Sequence, residues 1–456
     1  MICTGAASAQ AALPAAALPA APLLTAISAE ERAAGLWYAD RLKFDELHAQ
    51  GATGEGIKIA VIDAAIHPDA AELQGANDRV MGRYCVFPET GEPVPATSTD
   101  LARAGHGTSV TAMLVGNGVA ADGGAGTRGI VPDAEVMFYS TGMPDDPDYF
   151  FGGADAYAAW HAIDHGADII VYSVVSGDVY GWTPTLEKAL RAGVPVVAGT
   201  PNPDGVLNDR FFPYSLNGVV AVSGVDQEGN LLNGGGNVTG DTFRGDAVGS
   251  TNLGFVSAAA HLLSPSNKDG WGASLGSGTS LATPLVAGTL ALGMQKFPDA
   301  TAHQVLQAMI RTTGNSGIHE PEWVSEKWGY GIANPTALLA ADPRSYPDEN
   351  PLFAFDMSDP RCVFEESGTT GEWDGAIGME GCAWATLPSG EDVWPSGQSG
   401  DLNPAETTPG DTPQAVTPSP IVWIVGGVVL LGVIATAIIV PVVIARSRKR
   451  RAATSV

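Results

Sequence analysis

GIKIAVIDAAIHPD, residues 56–69, places five apolar residues among the six at 57–62 and then turns polar at Asp63. A β-branched run this short, bounded by Gly56 and Asp63, reads as a buried strand, because helices need about ten residues or more. The same rhythm returns at 135–139 (EVMFY), 168–173 (DIIVYS), 194–198 (VPVVA) and 218–222 (GVVAV). Helical stretches lie between several of these runs, for example 154–165 and 185–192. Strands alternating with helices predict an α/β fold, a doubly wound, mostly parallel sheet with helices on both faces. Such sheets carry their sites beyond the carboxyl ends of the strands. Upstream, 28–48 has Glu30 and Glu31 at its start and spaced apolar residues, which suits one or two short helices.

The chain has 456 residues, 45% hydrophobic and 16% charged, so it is neither wholly disordered nor a coiled coil. Its net charge is −27, and 18 basic against 50 acidic residues leave −32 before Arg446. A surface this acidic repels phosphate backbones, so nucleic acid is not an expected partner. None of the four cysteines forms a CxxC pair, which excludes a zinc ribbon of ordinary spacing. Residues 421–445 (IVWIVGGVVLLGVIATAIIVPVVIA) carry no charge and would span about 37 Å as a helix. The basic run Arg446-Ser447-Arg448-Lys449-Arg450-Arg451 follows, which predicts one membrane-spanning helix with a cytoplasmic C-terminus and everything before it outside. Ala7-Ser8-Ala9 resembles a cleavage site, yet 1–8 has neither a basic segment nor an apolar run. A start codon placed too late explains this, and an Ala/Pro-rich exposed arm over 6–21 is the alternative.

Three polar residues sit at the edges of these elements. Each has an ordinary explanation alone: Asp63 as a turn or cap residue, His106 as a packing or capping residue, Ser280 as a helix N-cap. Together, in Gly-rich contexts, they suit nucleophilic catalysis. A serine hydroxyl needs an adjacent base, an imidazole can take and return a proton near neutrality, and a carboxylate fixes the imidazole tautomer. Gly278 and Thr279 would let a substrate backbone approach, and the helix that follows offers N–H groups to an oxyanion.

IAVID (59–63), IHPD (66–69), GHGT (105–108) and GTSLATP (278–284), in this order, resemble the subtilisin-like serine peptidases. The likeness extends to GIVPDAE (129–135), HGADIIVYS (165–173), FPYS (212–215), GVVAVSGVD (218–226) and WGYGIAN (328–334), covering roughly 53–340. The overall plan is most similar to mycosins, the membrane-anchored subtilases of actinobacterial type VII secretion. The resemblance implies a catalytic triad of Asp63, His106 and Ser280. It implies a substrate-binding strand at Ser173, Val174 and Val175, where the family has Ser-Leu-Gly; Val175 would narrow the S1 entrance and favour small P1 side chains. The oxyanion donor falls on Thr200 by direct alignment and on Asn202 after a two-residue shift. Ala64 and Ala65 replace a hydroxyl residue and a Gly.

The expected organisation is a truncated signal-peptide remnant (1–9), an N-terminal extension (10–52), the peptidase domain (53–342), an acidic then Thr/Pro-rich linker (343–420), the membrane helix (421–445) and a basic tail (446–456). The expected function is an extracytoplasmic, membrane-anchored serine endopeptidase acting on polypeptides, associated with type VII secretion. The alternative is a weak or inactive subtilase domain serving as a scaffold of a membrane secretion complex. A sugar- or lipid-active hydrolase is not expected. No cofactor and no metal are expected. Asp145-Asp146-Pro147-Asp148 reads as a solvated loop rather than a calcium site, and His161 and His165 as surface histidines. Cys362 and Cys382 are placed to close a disulfide loop in an exported segment.

Overall fold

The computed structural model describes residues 27–84, 95–141, 154–176, 179–202, 212–232, 253–267 and 270–353. Its strands, in chain order, are β1 (Lys58–Asp63), β2 (Asp78–Arg83), β3 (Asn117–Val119), β4 (Ala125–Arg128), β5 (Glu135–Ser140) and β6 (Ile169–Tyr172). They continue with β7 (Val196–Gly199), β8 (Val220–Val225), β9 (Leu253–Ala258), β10 (Leu262–Asn267) and β11 (Gly270–Gly276). The longer helices are preceded by three short ones, α1 (Ala29–Gly35), α2 (Trp37–Arg41) and α3 (Phe44–Ala49). After them come α4 (Leu101–Val115), α5 (Ala154–Asp164), α6 (Val179–Ala192), α7 (Thr279–Lys296), α8 (Ala302–Met309) and α9 (Pro335–Ala340).

Seven strands form one sheet in the order β2-β5-β1-β6-β7-β8-β9, and every neighbouring pair is parallel. The chain builds outward from β1 in both directions. The order therefore reverses at β1, and the crevice at the carboxyl ends of β1 and β6 is the position where such sheets bind ligands.

Successive side chains of a strand point to opposite faces, and here they enter two different cores. Ile59, Val61, Val171, Val197 and Val222 pack with residues of α4 and α7 such as Val110, Met113, Leu285 and Val286. Ala60, Ile62, Ile170, Ala198 and Ala221 pack on the other face with α5 and α6, through Ala158, Ala159, Trp182 and Leu186. Burial on both faces explains why these strands read as continuous apolar runs rather than alternating ones.

The N-terminal helices share the first of these cores. Trp37, Tyr38, Phe44 and Leu47 are all buried in it. Trp37 donates its indole N–H to the carbonyl of Ala260 (2.9 Å), and the Tyr38 hydroxyl donates to that of Arg128 (2.9 Å). A capping box between Ser28 and Glu31 starts α1. The helical part of the 10–52 extension is thus joined to the sheet layer by side-chain burial, and truncating one such aromatic typically costs about 3–5 kcal/mol.

Several expectations lie outside the described residues: the signal-peptide remnant, the 145–148 loop, the Cys362–Cys382 pair, the Thr/Pro linker, the 421–445 helix and the basic tail. Among the described residues, no helix is long and apolar enough to cross a membrane.

Candidate active site

Asp63 is the last residue of β1 and is fully buried. Its Oδ1 accepts the backbone N–H of Ala64 (2.8 Å), and its Oδ2 lies 2.8 Å from Nδ1 of His106. The main chain around it is tied to β5: the Thr141 N–H donates to the Asp63 carbonyl (2.8 Å), and the Ser140 hydroxyl donates to the Ala64 carbonyl. The carboxylate is thus held by the main-chain N–H of Ala64 and by His106, and Ala64 has no hydroxyl to add a further bond. Ala65 does not need the freedom of a Gly, since the non-Gly residues with positive φ are Lys43 and His261 among the described residues.

His106 is the sixth residue of α4, a helix capped by Asp100, whose carboxylate accepts from Ala102 N–H (2.9 Å). The next residue, Gly107, shows how close the helix comes to the chain after β1. A Cβ there would sit 2.4 Å from the carbonyl oxygen of Ala65 and 2.9 Å from the Phe138 ring, so only glycine fits. The IHPD segment is held to the same helix, the His67 N–H donating to the Thr108 hydroxyl (2.9 Å). With Nδ1 on the carboxylate, Nε2 is the nitrogen left for chemistry. Desolvation pulls the His106 pKa down, but the charge and hydrogen bond of Asp63 outweigh it, and the imidazole titrates above the ordinary histidine value. The His106 side chain keeps 42% of its surface exposed, so solvent screens the pair and its contribution to folding is small.

Ser280 is the second residue of α7. Gly278, not Ser280, caps that helix. A Cβ on Gly278 would lie 3.3 Å from Ser280 Oγ and 3.4–3.5 Å from both polar atoms of the Asn202 carboxamide. The serine hydroxyl and the carboxamide thus border one small space that a side chain at 278 would fill. Asn202 Oδ1 accepts from the Thr279 N–H (3.0 Å), which leaves its Nδ2 hydrogens to donate elsewhere. The Thr279 hydroxyl is bound in turn to the Thr200 carbonyl (2.5 Å). Thr200 itself is buried, and its hydroxyl has no partner. Of the two candidate donors, the carboxamide of Asn202 is the one beside Ser280.

These groups share the carboxyl edge of the sheet. β1 and β7 are separated only by β6, so their ends lie about 10 Å apart at the usual strand spacing. Ser173, Val174 and Val175 follow β6 directly, between those ends. Ser173 is buried with an unpartnered hydroxyl, and the two valines are half-buried against the second core. No hydrogen bond joins Ser280 Oγ to His106 Nε2. Bonds of this kind often close only when substrate is present.

One sequence-based expectation fails. His161 is not a surface residue: it is 6% exposed, packed against Tyr84 and Tyr139, and stacked on His165 at 3.7 Å. His165, one turn on, is the exposed member of the pair. Burial, with a smaller contribution from the charge of His165, pushes the His161 pKa down to about 4, and its Nε2 has no partner. A depressed pKa of this kind supports the fold fully above about pH 6.5 and loses that support as pH falls toward 4, on the order of 3 kcal/mol. Urea unfolding at pH 7 and pH 4.5 should show this loss, and His161→Phe should flatten part of the slope. Equal slopes in the two proteins would refute it. Among the described residues, no group of three or more His, Cys, Asp or Glu side chains is arranged to hold a metal ion.

Residues 54–331 match the signature of the subtilase family. Fervidolysin of Fervidobacterium pennivorans is 28% identical over 333 residues, 68% of this chain but 44% of its own length. The chain thus spans less than half of that relative. Subtilisin DY of Bacillus licheniformis is 29% identical over 292 residues, 60% of this chain and 90% of its own. The crystal structure of MycP1 from Mycobacterium smegmatis superposes with a TM-score of 0.51 at 20% identity, covering 71% of this chain and 88% of that one. A MycP1 structure from the ESX-1 type VII secretion system gives 0.50 at 20% identity, covering 69% and 88%. At these identities the two superpositions speak for the fold alone. With the signature covering well over half of the residues, and a carboxylate–imidazole pair at the sheet edge that also holds a serine, the chain belongs to the subtilase family of serine peptidases.

Proposed function

We propose that the chain is an active serine endopeptidase working through Asp63, His106 and Ser280. The observation that carries this is the 2.8 Å contact between Asp63 and His106 at the sheet edge that also bears Ser280. Ser280 Oγ attacks the scissile carbonyl while His106 Nε2 takes its proton, and the same proton passes to the leaving amine. Asp63 holds the ring by Nδ1 and stabilises the imidazolium as it forms. The tetrahedral oxyanion is received by Asn202 Nδ2 and by the N–H of Ser280, one of the first-turn donors of α7 without an intrahelical acceptor. Val175, where the family has Gly, restricts the S1 entrance to small side chains.

The 421–445 segment anchors the chain in a membrane, with the peptidase domain outside and the basic tail in the cytoplasm. The resemblance to mycosins supports work beside a type VII secretion complex. The departures from the family pattern at Ala64, Val175 and Thr200 favour a second reading, a scaffold of such a complex. If Ser280→Ala abolished secretion of partner substrates while the complex still assembled, a pure scaffold would be excluded.

The test is hydrolysis of a mixed peptide library by the purified chain. Cleavage should be lost after treatment with a sulfonyl fluoride and unaffected by a thiol reagent. A folded chain that cleaves nothing, or one indifferent to the sulfonyl fluoride, would refute the proposal. Asn202→Ala should lower kcat by about 10²–10³ with KM little changed. Thr200→Val should leave kcat near the parent value, because the hydroxyl it removes is buried and unpartnered. The opposite ranking would move the oxyanion donor to Thr200.

A further inference from the structure

Beneath the helix that carries His106 lies a cluster of serine hydroxyls. Ser109 Oγ donates to the carbonyl of Gly105 (2.7 Å) and is 2.8 Å from Ser264 Oγ and 3.2 Å from Ser266 Oγ. Ser266 Oγ donates to the same Gly105 carbonyl (3.0 Å). Ser274 Oγ donates to the carbonyl of Ser266 (2.9 Å), and Ser264 Oγ lies 3.3 Å from that oxygen. Ser109, Ser264 and Ser274 are buried. One consistent placement gives every hydroxyl hydrogen an acceptor: Ser109 and Ser266 to Gly105, Ser264 to Ser109, and Ser274 to Ser266.

The local sequence explains why hydroxyls are needed here. Pro265 has no N–H to give to a ladder, and the β10–β11 register shifts between Ser264 and Ser266. The Ser266 carbonyl is therefore met by hydroxyls. Gly105 permits the approach, since a Cβ there would lie 3.1 Å from Ser266 Oγ.

Both ends of this cluster lead to the candidate site. Gly105 precedes His106, and β11 ends at Gly276, four residues before Ser280. The connecting loop is itself fastened, the His261 N–H donating to Ser277 Oγ (2.9 Å) and the Gly278 N–H to the Ala259 carbonyl (2.8 Å). Apolar packing would hold α4 against the hairpin but allow sliding. A satisfied buried hydroxyl network fixes spacing and direction. We propose that Ser109, Ser264, Ser266 and Ser274 are positioning residues that set the height of His106 relative to Ser280. None touches the reacting atoms, and the proposal rests on the triad reading above.

The experiment measures peptide hydrolysis, its pH profile and the rate of fluorophosphonate labelling in Ser109→Ala, Ser266→Ala and the double variant. Each single variant should lose roughly 10-fold in kcat and in labelling rate, with KM little changed. The double should be no worse than either single, because the cluster acts as a unit. The pKa of the rising pH limb should stay in place, since the Asp63–His106 contact is untouched, and Ser266→Thr should restore most of the rate. Should the alanine variants fail to fold, Ser274→Ala, at the end of the network farthest from Gly105, should show the same split at about three-fold. Variants that lose thermal stability while labelling at the parent rate would overturn the proposal, as would losses that multiply in the double. A parent chain that neither cleaves peptide nor takes the probe overturns the triad reading, and this proposal falls with it.

Discussion

In Ser280→Ala, peptide hydrolysis is expected to fall about 10⁶-fold in kcat, the scale found when a triad peptidase loses its nucleophile. The change removes one oxygen from a partly buried position at the start of a long helix whose core residues run from Leu281 to Gly293. Stability should therefore move little, and KM should stay near the parent value because the Ser173–Val175 strand is unchanged. A residual rate over water should survive, since Asn202 and the first-turn N–H groups of α7 still receive the oxyanion. Adding His106→Ala should cost little more, because the base has nothing left to activate. The comparison to make is kcat of the two single variants and the double on one peptide. Full activity in Ser280→Ala would mean that another residue is the nucleophile.

Asp63→Asn is expected to lower kcat about 10⁴-fold while preserving the shape of the site. The carboxylate is buried at the end of a strand with parallel neighbours on both sides, so the amide occupies the same volume. It no longer selects the Nδ1–H tautomer or stabilises the imidazolium. The pH profile supplies a second signature. Asp63 raises the His106 pKa, and the base works only when neutral. Parent activity should therefore rise with pH through a value above about 6.5, the ordinary histidine pKa. Without the carboxylate the imidazolium loses its support, so the rising limb should move to lower pH as its plateau drops. The kcat/KM profiles of the two proteins check this, and an unshifted limb would separate Asp63 from the titrating group.

Much of this site was legible in the order of residues. Strands β1, β6 and β7 are buried on both faces, so their apolar runs stand out, and Asp63 is visible as the first polar residue after one of them. The β10–β11 hairpin was not legible. Its sequences, LLSPSN and GWGASLG, lack both the β-branched run and the alternation. Its place is set by distant contacts, the serine cluster under α4 and the Trp37–Ala260 bond. The choice between Thr200 and Asn202 was open for a similar reason. Thr200 and Pro201 stand between Gly199 and Asn202, and the long-range Thr279–Asn202 bond is what shows where the carboxamide goes. His161 misled because α5, ADAYAAWHAID, is apolar on most sides, and a spacing of four to His165 does not say which face is buried.

The most direct measurement is peptide-mapping mass spectrometry of the purified, folded chain after reaction with a fluorophosphonate. A single adduct on the hydroxyl of Ser280, slowed in Asp63→Asn and abolished by prior unfolding, is the expected result. An unmodified Ser280 in a folded chain, or an adduct on some other side chain, would contradict the assignment of nucleophile and base on which everything else rests.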